Sequence, residues 1–236
     1  VDVLDASLVE KQNVDTAWEL FGRAPGVQLT DFNQGTTSGK LSFRGFNGEG
    51  EINAVKLLID GIPSNSNDGN MPYIDLISPL DIIDIEVVRG TNDPRYGLYN
   101  IAGNANINTH IGGEYSAARA SYGSFQTADA QLAKGFKLGN FTQDYFFAYR
   151  RSDGYRDHSD LEKFSLAGKW FYNWSENSRV GIIARHHQND AQEPGYLTRN
   201  DSKEHPTLSY PFSATDGGDR QIGQYSIHLD TQPTEA

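Results

Sequence analysis

Cysteine is absent from the 236 residues, which rules out a disulfide framework and any thiolate metal site. Basic residues are few: 20 Lys+Arg face 31 Asp+Glu, for a formal charge of −11. With that balance and no basic patch, nucleic acid is not an expected partner. No stretch approaches the roughly 20 consecutive apolar residues that a membrane-spanning helix needs. The opening "VDVLDASLVEKQ" has neither the basic region nor the apolar core of a secretory signal. Nucleotide and hydrolase signatures are missing too. "GFNGEG" at 45–50 is spaced G-x-x-G-x-G with no clear helix after it, and neither a P-loop nor H-E-x-x-H occurs. His186 and His187 are adjacent on a predicted strand, so they point to opposite faces and cannot share one metal ion.

What is present is glycine, 24 residues of it, and aromatics, with 12 Tyr, 12 Phe and 3 Trp. Acidity is concentrated in the first half. Residues 1–113 hold 7 Lys+Arg against 15 Asp+Glu, and residues 114–236 hold 13 against 16. The texture changes at the same place, near "HIGGEY" (110–115).

The first half reads as a small mixed α/β unit. A short strand leads to a helical turn that Asp5 can cap. A second helix is expected in "NVDTAWELFGRAPGV", with Val14, Ala17, Trp18 and Phe21 on one face and Pro25-Gly26 as the stop. Short strands are predicted at Val27–Leu29, Lys40–Arg44, Ala54–Ile59, Ile82–Val88 and Asn104–Asn108, each bounded by turn residues.

The second half alternates strictly between apolar and polar residues. The predicted strands are 114–122, 124–134, 141–151, 161–173, 179–187 and 219–230, with a long connection at 188–218. A solvated β-sandwich shows the same alternation. The span Phe141–Trp174, however, packs eleven aromatics into 34 residues, and the longer connections fall on one side. Ten residues at ~3.3 Å each, tilted by ~40°, give the roughly 25 Å apolar band of a transmembrane barrel. A mixed α/β domain at 1–113 followed by transmembrane β-strands at 114–236 is the expected fold.

Several spaced motifs sharpen this. "LSFRGFNGEG" (41–50), "VKLLIDGIPSN" (55–65) and "IEVVRGTNDPRYGLYNIAGNANINT" (85–109), read together, resemble the plug domain of TonB-dependent outer-membrane receptors. The matching positions are Arg44-Gly45, Asp60-Gly61, Glu86, Arg89-Gly90, Tyr96-Gly97, Gly103 and Ile107-Asn108. Thr91 and Asn104 depart from the usual proline and glycine.

The resemblance implies a plug, then the first six strands of a 22-stranded type of barrel, in the bacterial outer membrane. It implies active import with no covalent chemistry, no catalytic residues, no resident metal and no cofactor, iron being chelated cargo. The implied partners are the TonB complex, the lipid of the outer membrane, and a ferric siderophore or similar chelate. Cobalamin, haem or a glycan are alternative cargoes, and a soluble β-rich carbohydrate-binding or hydrolytic protein is the alternative class. Arg44 and Arg89 are the candidate plug–barrel contacts, pairing with carboxylates on the inner wall. Asn47, Glu49, Asn65, Tyr73, Arg95 and Tyr99 are the candidate cargo contacts on the plug loops. The loop at 188–219, with Tyr196, Arg199, His205, Tyr210 and Phe212, is a further candidate for gripping cargo. The TonB box is expected upstream of Val1, and the remaining wall in sequence beyond residue 236.

Overall fold

The structure is a computed structural model, and it describes residues 1–12, 14–35, 37–43, 45–46, 54–67, 74, 76–90 and 97–231. It forms two compact units, one of Val1–Asn33 and Thr37–His110, the other of Gln34–Thr36 and Ile111–Ala236.

In the first unit, β1 (Asp2–Leu4) leads into α1 (Ala6–Glu10). The Asp5 carboxylate caps that helix by accepting from the Leu8 amide at 3.0 Å. The second predicted helix is instead a 3₁₀ helix, Ala17–Arg23, that buries Leu20 as well as Trp18 and Phe21. Its N-terminus is closed by Glu19, which accepts from the Thr16 amide at 2.9 Å and the Thr16 hydroxyl at 2.8 Å. Pro25-Gly26 follow at once, and so short a helix favours the tighter winding.

A hairpin of β2 (Val27–Gln34) and β3 (Thr37–Phe43) comes next. The main sheet then uses β4 (Val55–Ile59), β5 (Ile62–Pro63), β6 (Ile82–Arg89) and β7 (Gly103–Thr109) in the order β1-β6-β7-β4-β5. Only β4 and β7 run parallel; the other pairs are antiparallel.

Side-chain alternation gives that sheet two different faces. Val55, Leu57, Ile59, Ile85, Val87, Ala105 and Ile107 form a fully buried apolar face. The opposite face carries Lys56, Asp84, Glu86, Asn104, Asn106 and Asn108, joined by register across three strands. Asn106 donates to Asn108 at 2.8 Å, and Asn108 to Asp84 at 2.7 Å. At the Asp60-Gly61 turn, Asp60 sits at φ 50° and accepts from the Thr109 amide at 2.7 Å and its hydroxyl at 2.8 Å.

The second unit is a six-stranded antiparallel meander: β8 (Tyr115–Tyr122), β9 (Ala128–Leu138), β10 (Phe141–Ser152), β11 (Leu161–Ser175), β12 (Ser178–Gln192) and β13 (Gly217–Thr231). β9 starts four residues later than the predicted 124–134 and runs on to Leu138. Gly135, expected in a turn, is therefore inside the strand. Its register partner is Tyr115, whose ring occupies the space a side chain would need, 2.4 Å from a Cβ added at Gly135.

The polarity of this sheet is inverted relative to a water-soluble one. Leu132, Leu166 and Ile182 on one face are 54%, 43% and 51% exposed, whereas Lys169, Arg185 and His187 on the other are 1%, 2% and 1% exposed. The apolar face runs in rows, such as Phe136–Gln143–Trp170–Ile182–Ile227 and Leu138–Phe141–Tyr172–Val180–Leu229. Between the Phe141 and Tyr149 rows the band is about 20–25 Å tall at ~3.4 Å per residue and ~40° tilt.

Candidate functional site

Parallel pairing of β4 with β7, and the return of β5 along β4, bring three connections to one end of the main sheet. These are the segments entering β4, leaving β5, and joining β6 to β7. The predicted cargo residues all belong to these connections. Of the sequence candidates, Arg44, Asn47, Glu49, Tyr73 and Arg95 lie outside the described residues.

Asn65 is committed to the fold. Its side-chain oxygen accepts from the Leu57 amide at 2.8 Å, and its amide donates to the Val55 carbonyl at 3.1 Å. The side chain thus continues the ladder along the free edge of β4, where β5 is too short to reach. Tyr99 sits in the left-handed region, at φ 65°, and donates its hydroxyl to the Asn67 carbonyl at 2.5 Å. Holding a non-glycine residue there costs about 1 kcal/mol, and such strain concentrates at working sites.

Arg89, expected to meet a carboxylate of the wall, meets one within its own unit. Its guanidinium donates to the Asp2 carboxylate and to the Pro25 carbonyl, clasping β1 and the end of the 3₁₀ helix together. Asp2 is 87 positions away in the chain, and only the β1–β6 register brings it near.

Lys56 was not singled out from the sequence. It is 7% exposed, on the polar face of β4, with its ammonium 5.7 Å from the centre of the Tyr99 ring. Burial pushes its pKa below the ordinary lysine value. Beside it, Asn104 is its register partner and donates to the Asn100 side-chain oxygen at 3.2 Å. Asn100 and Asn104 are 5% and 2% exposed. The one signal in the sequence was a cation inside the otherwise apolar strand "VKLLI".

In the second unit the connections at one end of the sheet are 123–127, 153–160 and 193–216, and they are interlocked. The Arg156 guanidinium donates to the carbonyls of Leu208 at 2.6 Å, Pro194 at 3.0 Å and Gly195, holding both limbs of the longest connection. Within that connection, α2 (Asp201–Glu204) is followed by stacked Tyr210 and Phe212 rings 5.1 Å apart. Hydrogen bonds from the Tyr210 and Thr198 hydroxyls hold the Asp201 carboxyl below the usual carboxylate range. Tyr196 and Phe212 stay 70% and 76% exposed, while Arg199 and His205 are exposed beside them. Among the described residues no group of three His, Asp or Glu is placed to hold a metal ion.

Comparison with known proteins joins these observations. Residues 1–104 match the sequence model of the family described as the TonB-dependent receptor plug domain. The vitamin B12 transporter BtuB of Vibrio vulnificus is 29% identical over 159 residues, covering 66% of this chain and 25% of that protein. The chain thus spans about a quarter of the length of the curated relatives it matches. Among solved structures, the unliganded ferric citrate transporter FecA superposes with a TM-score of 0.72 at 22% identity, over 88% of this chain and 34% of that one. The ferric yersiniabactin uptake receptor FyuA of Yersinia pestis gives 0.69 at 19% identity, over 85% and 33%. Residues 1–104 are thus matched as a plug domain of TonB-dependent receptors, and the six-stranded antiparallel sheet after it has the fold of the solved receptors' barrels.

Proposed function

We propose that the protein to which this chain belongs imports a ferric siderophore or similar metal chelate across the bacterial outer membrane, powered through TonB. The inverted polarity of the β8–β13 sheet carries this reading. Exposed Leu132, Leu166 and Ile182 suit hydrocarbon, and buried Lys169, Arg185 and His187 suit a polar lumen. Residues 1–113 act as the plug, and residues 114–236 supply the first part of the wall.

Cargo meets the loop-bearing end of the plug and the long connections of the wall. TonB acts from the periplasmic side and displaces part of the plug. Iron passes as chelated cargo, with no resident cofactor and no covalent step. Deleting the gene in iron-starved cells is expected to abolish uptake of one ferric chelate, with restoration by the full-length gene only in a strain with functional TonB. Uptake unchanged by the deletion across hydroxamate, catecholate and carboxylate chelates would refute the iron reading. The similarity to vitamin B12 transporters favours cobalamin as the second cargo, to be tested in the same strains.

A further inference from the structure

The plug sheet carries a buried group that neither the apolar core nor the strand ladder uses. Lys56 is a cation held at 7% exposure, and among the described residues no carboxylate lies against it. Its contact is the face of Tyr99, at 5.7 Å. The side-chain nitrogen of Asn100 is buried as well and has no hydrogen-bond partner among the described residues. The parallel register of β4 and β7 ties the two together, because Lys56 pairs with Asn104 and Asn104 donates to Asn100. With its oxygen occupied by Asn104, Asn100 has only its N–H groups left to offer.

A buried ammonium and a buried amide without acceptors each carry a desolvation cost, larger for the charged group. A neutral aliphatic at position 56 would avoid the first, as it does at Leu58 on the same face. A positive charge and an unpartnered donor, linked through Asn104, are complementary to an acceptor-only group. Tyr99, at φ 65° and bonded to Asn67, faces the Lys56 ammonium from a strained setting.

We propose that Lys56 and Asn100 form an anion-receiving subsite at the loop-bearing end of the plug, and that it takes a carboxylate group of an anionic cargo. This rests on the import reading for its biological role, but not for its binding chemistry. A carboxylate is planar and can accept from the ammonium with one oxygen and from the amide with the other, and both bonds are charge-assisted. The subsite selects anionic chelates over neutral ones of similar size.

The test uses the full-length receptor in detergent, with citrate as the probe and a neutral sugar as the control. Citrate should protect Lys56 from acylation by an amine-reactive ester, read by peptide mass spectrometry, and should raise the melting temperature. Lys56→Met should weaken citrate binding by about tenfold or more, whereas Lys56→Arg keeps the charge and should retain most of it. Asn100→Asp is the sharper variant. It keeps the acceptor for Asn104 but sets a carboxylate beside Lys56, so it should abolish citrate binding while leaving the fold at least as stable. Acylation of Lys56 indifferent to citrate, or equal citrate affinity in wild type and Lys56→Met, would overturn the subsite. Citrate binding at Lys56 without TonB-dependent uptake would instead leave the subsite standing and count against the import reading.

Discussion

Gly103 is where a single methyl group separates two kinds of glycine. It opens β7 at φ 141°, and a Cβ added there would lie 2.1 Å from the Val88 carbonyl oxygen and 3.0 Å from the Arg89 Cα. The approach exists because β6 and β7 pair here, with Arg89 opposite Gly103 and the Gly90 amide donating to the Ala102 carbonyl at 2.6 Å. Gly61 also has positive φ, 77°, but nothing lies within 4 Å of its added Cβ. Gly61→Ala should therefore cost only the left-handed backbone, about 1 kcal/mol. Gly103→Ala adds the displacement of a backbone carbonyl, an overpacking cost of about 1–3 kcal/mol, for roughly 3 kcal/mol in all. In hydrogen–deuterium exchange of the protein, amides of β6 and β7 should then exchange about 100-fold faster in Gly103→Ala and about fivefold faster in Gly61→Ala. Equal acceleration in the two variants would mean that the close approach at Val88 does not govern the pairing.

The clasp between Arg89 and Asp2 is partly exposed, so its coupling should be about 1 kcal/mol in a double-mutant cycle. The readout is exchange of the β1 amides, and additive single mutants would deny the pairing. Lys56 gives a pH signature: with its pKa lowered, the unfolded chain holds the proton more tightly than the native one. Stability therefore rises as pH climbs from the folded-state value toward 10.5, and stays at its penalised level below that window. Lys56→Met should remove this rise, and an alkaline stability profile identical to wild type would refute the burial argument. Ile182→Arg, on the apolar face, should destabilise the wall by about 2–4 kcal/mol in lipid, measured by reversible unfolding into denaturant. A cost near zero would argue that this face meets water. Arg156→Ala should release the 193–216 connection and speed its cleavage in limited proteolysis, whereas an unchanged cleavage rate would show that the three carbonyl contacts are dispensable.

The strands of the second unit were legible because alternation has a period of two, and each segment states its own faces. Their ends were less so. Gly135 looked like a turn until Tyr115, twenty residues earlier, was seen to fill its empty side. The 3₁₀ form of Ala17–Arg23 was also hidden, since Val14, Ala17, Trp18 and Phe21 fit an α-helix equally well. At the candidate site, motif spacing pointed to the connections around Asn65 and Tyr99 but not to what their side chains do. Asn65 proved to complete the edge of β4, a role that depends on how short β5 is.

Sequence alone was enough to determine what local pattern controls: the strand-rich architecture, the break in texture near residue 113, the cap at Asp5 and the plug motifs themselves. Tertiary structure decided the partners. Lys56 meets Tyr99 and Asn104 because β4 lies parallel to β7, and Arg89 meets Asp2 because β1 closes the far edge of the sheet. The physical reason is that side-chain direction follows from the strand's own geometry, whereas register between distant strands comes from packing the whole apolar face at once.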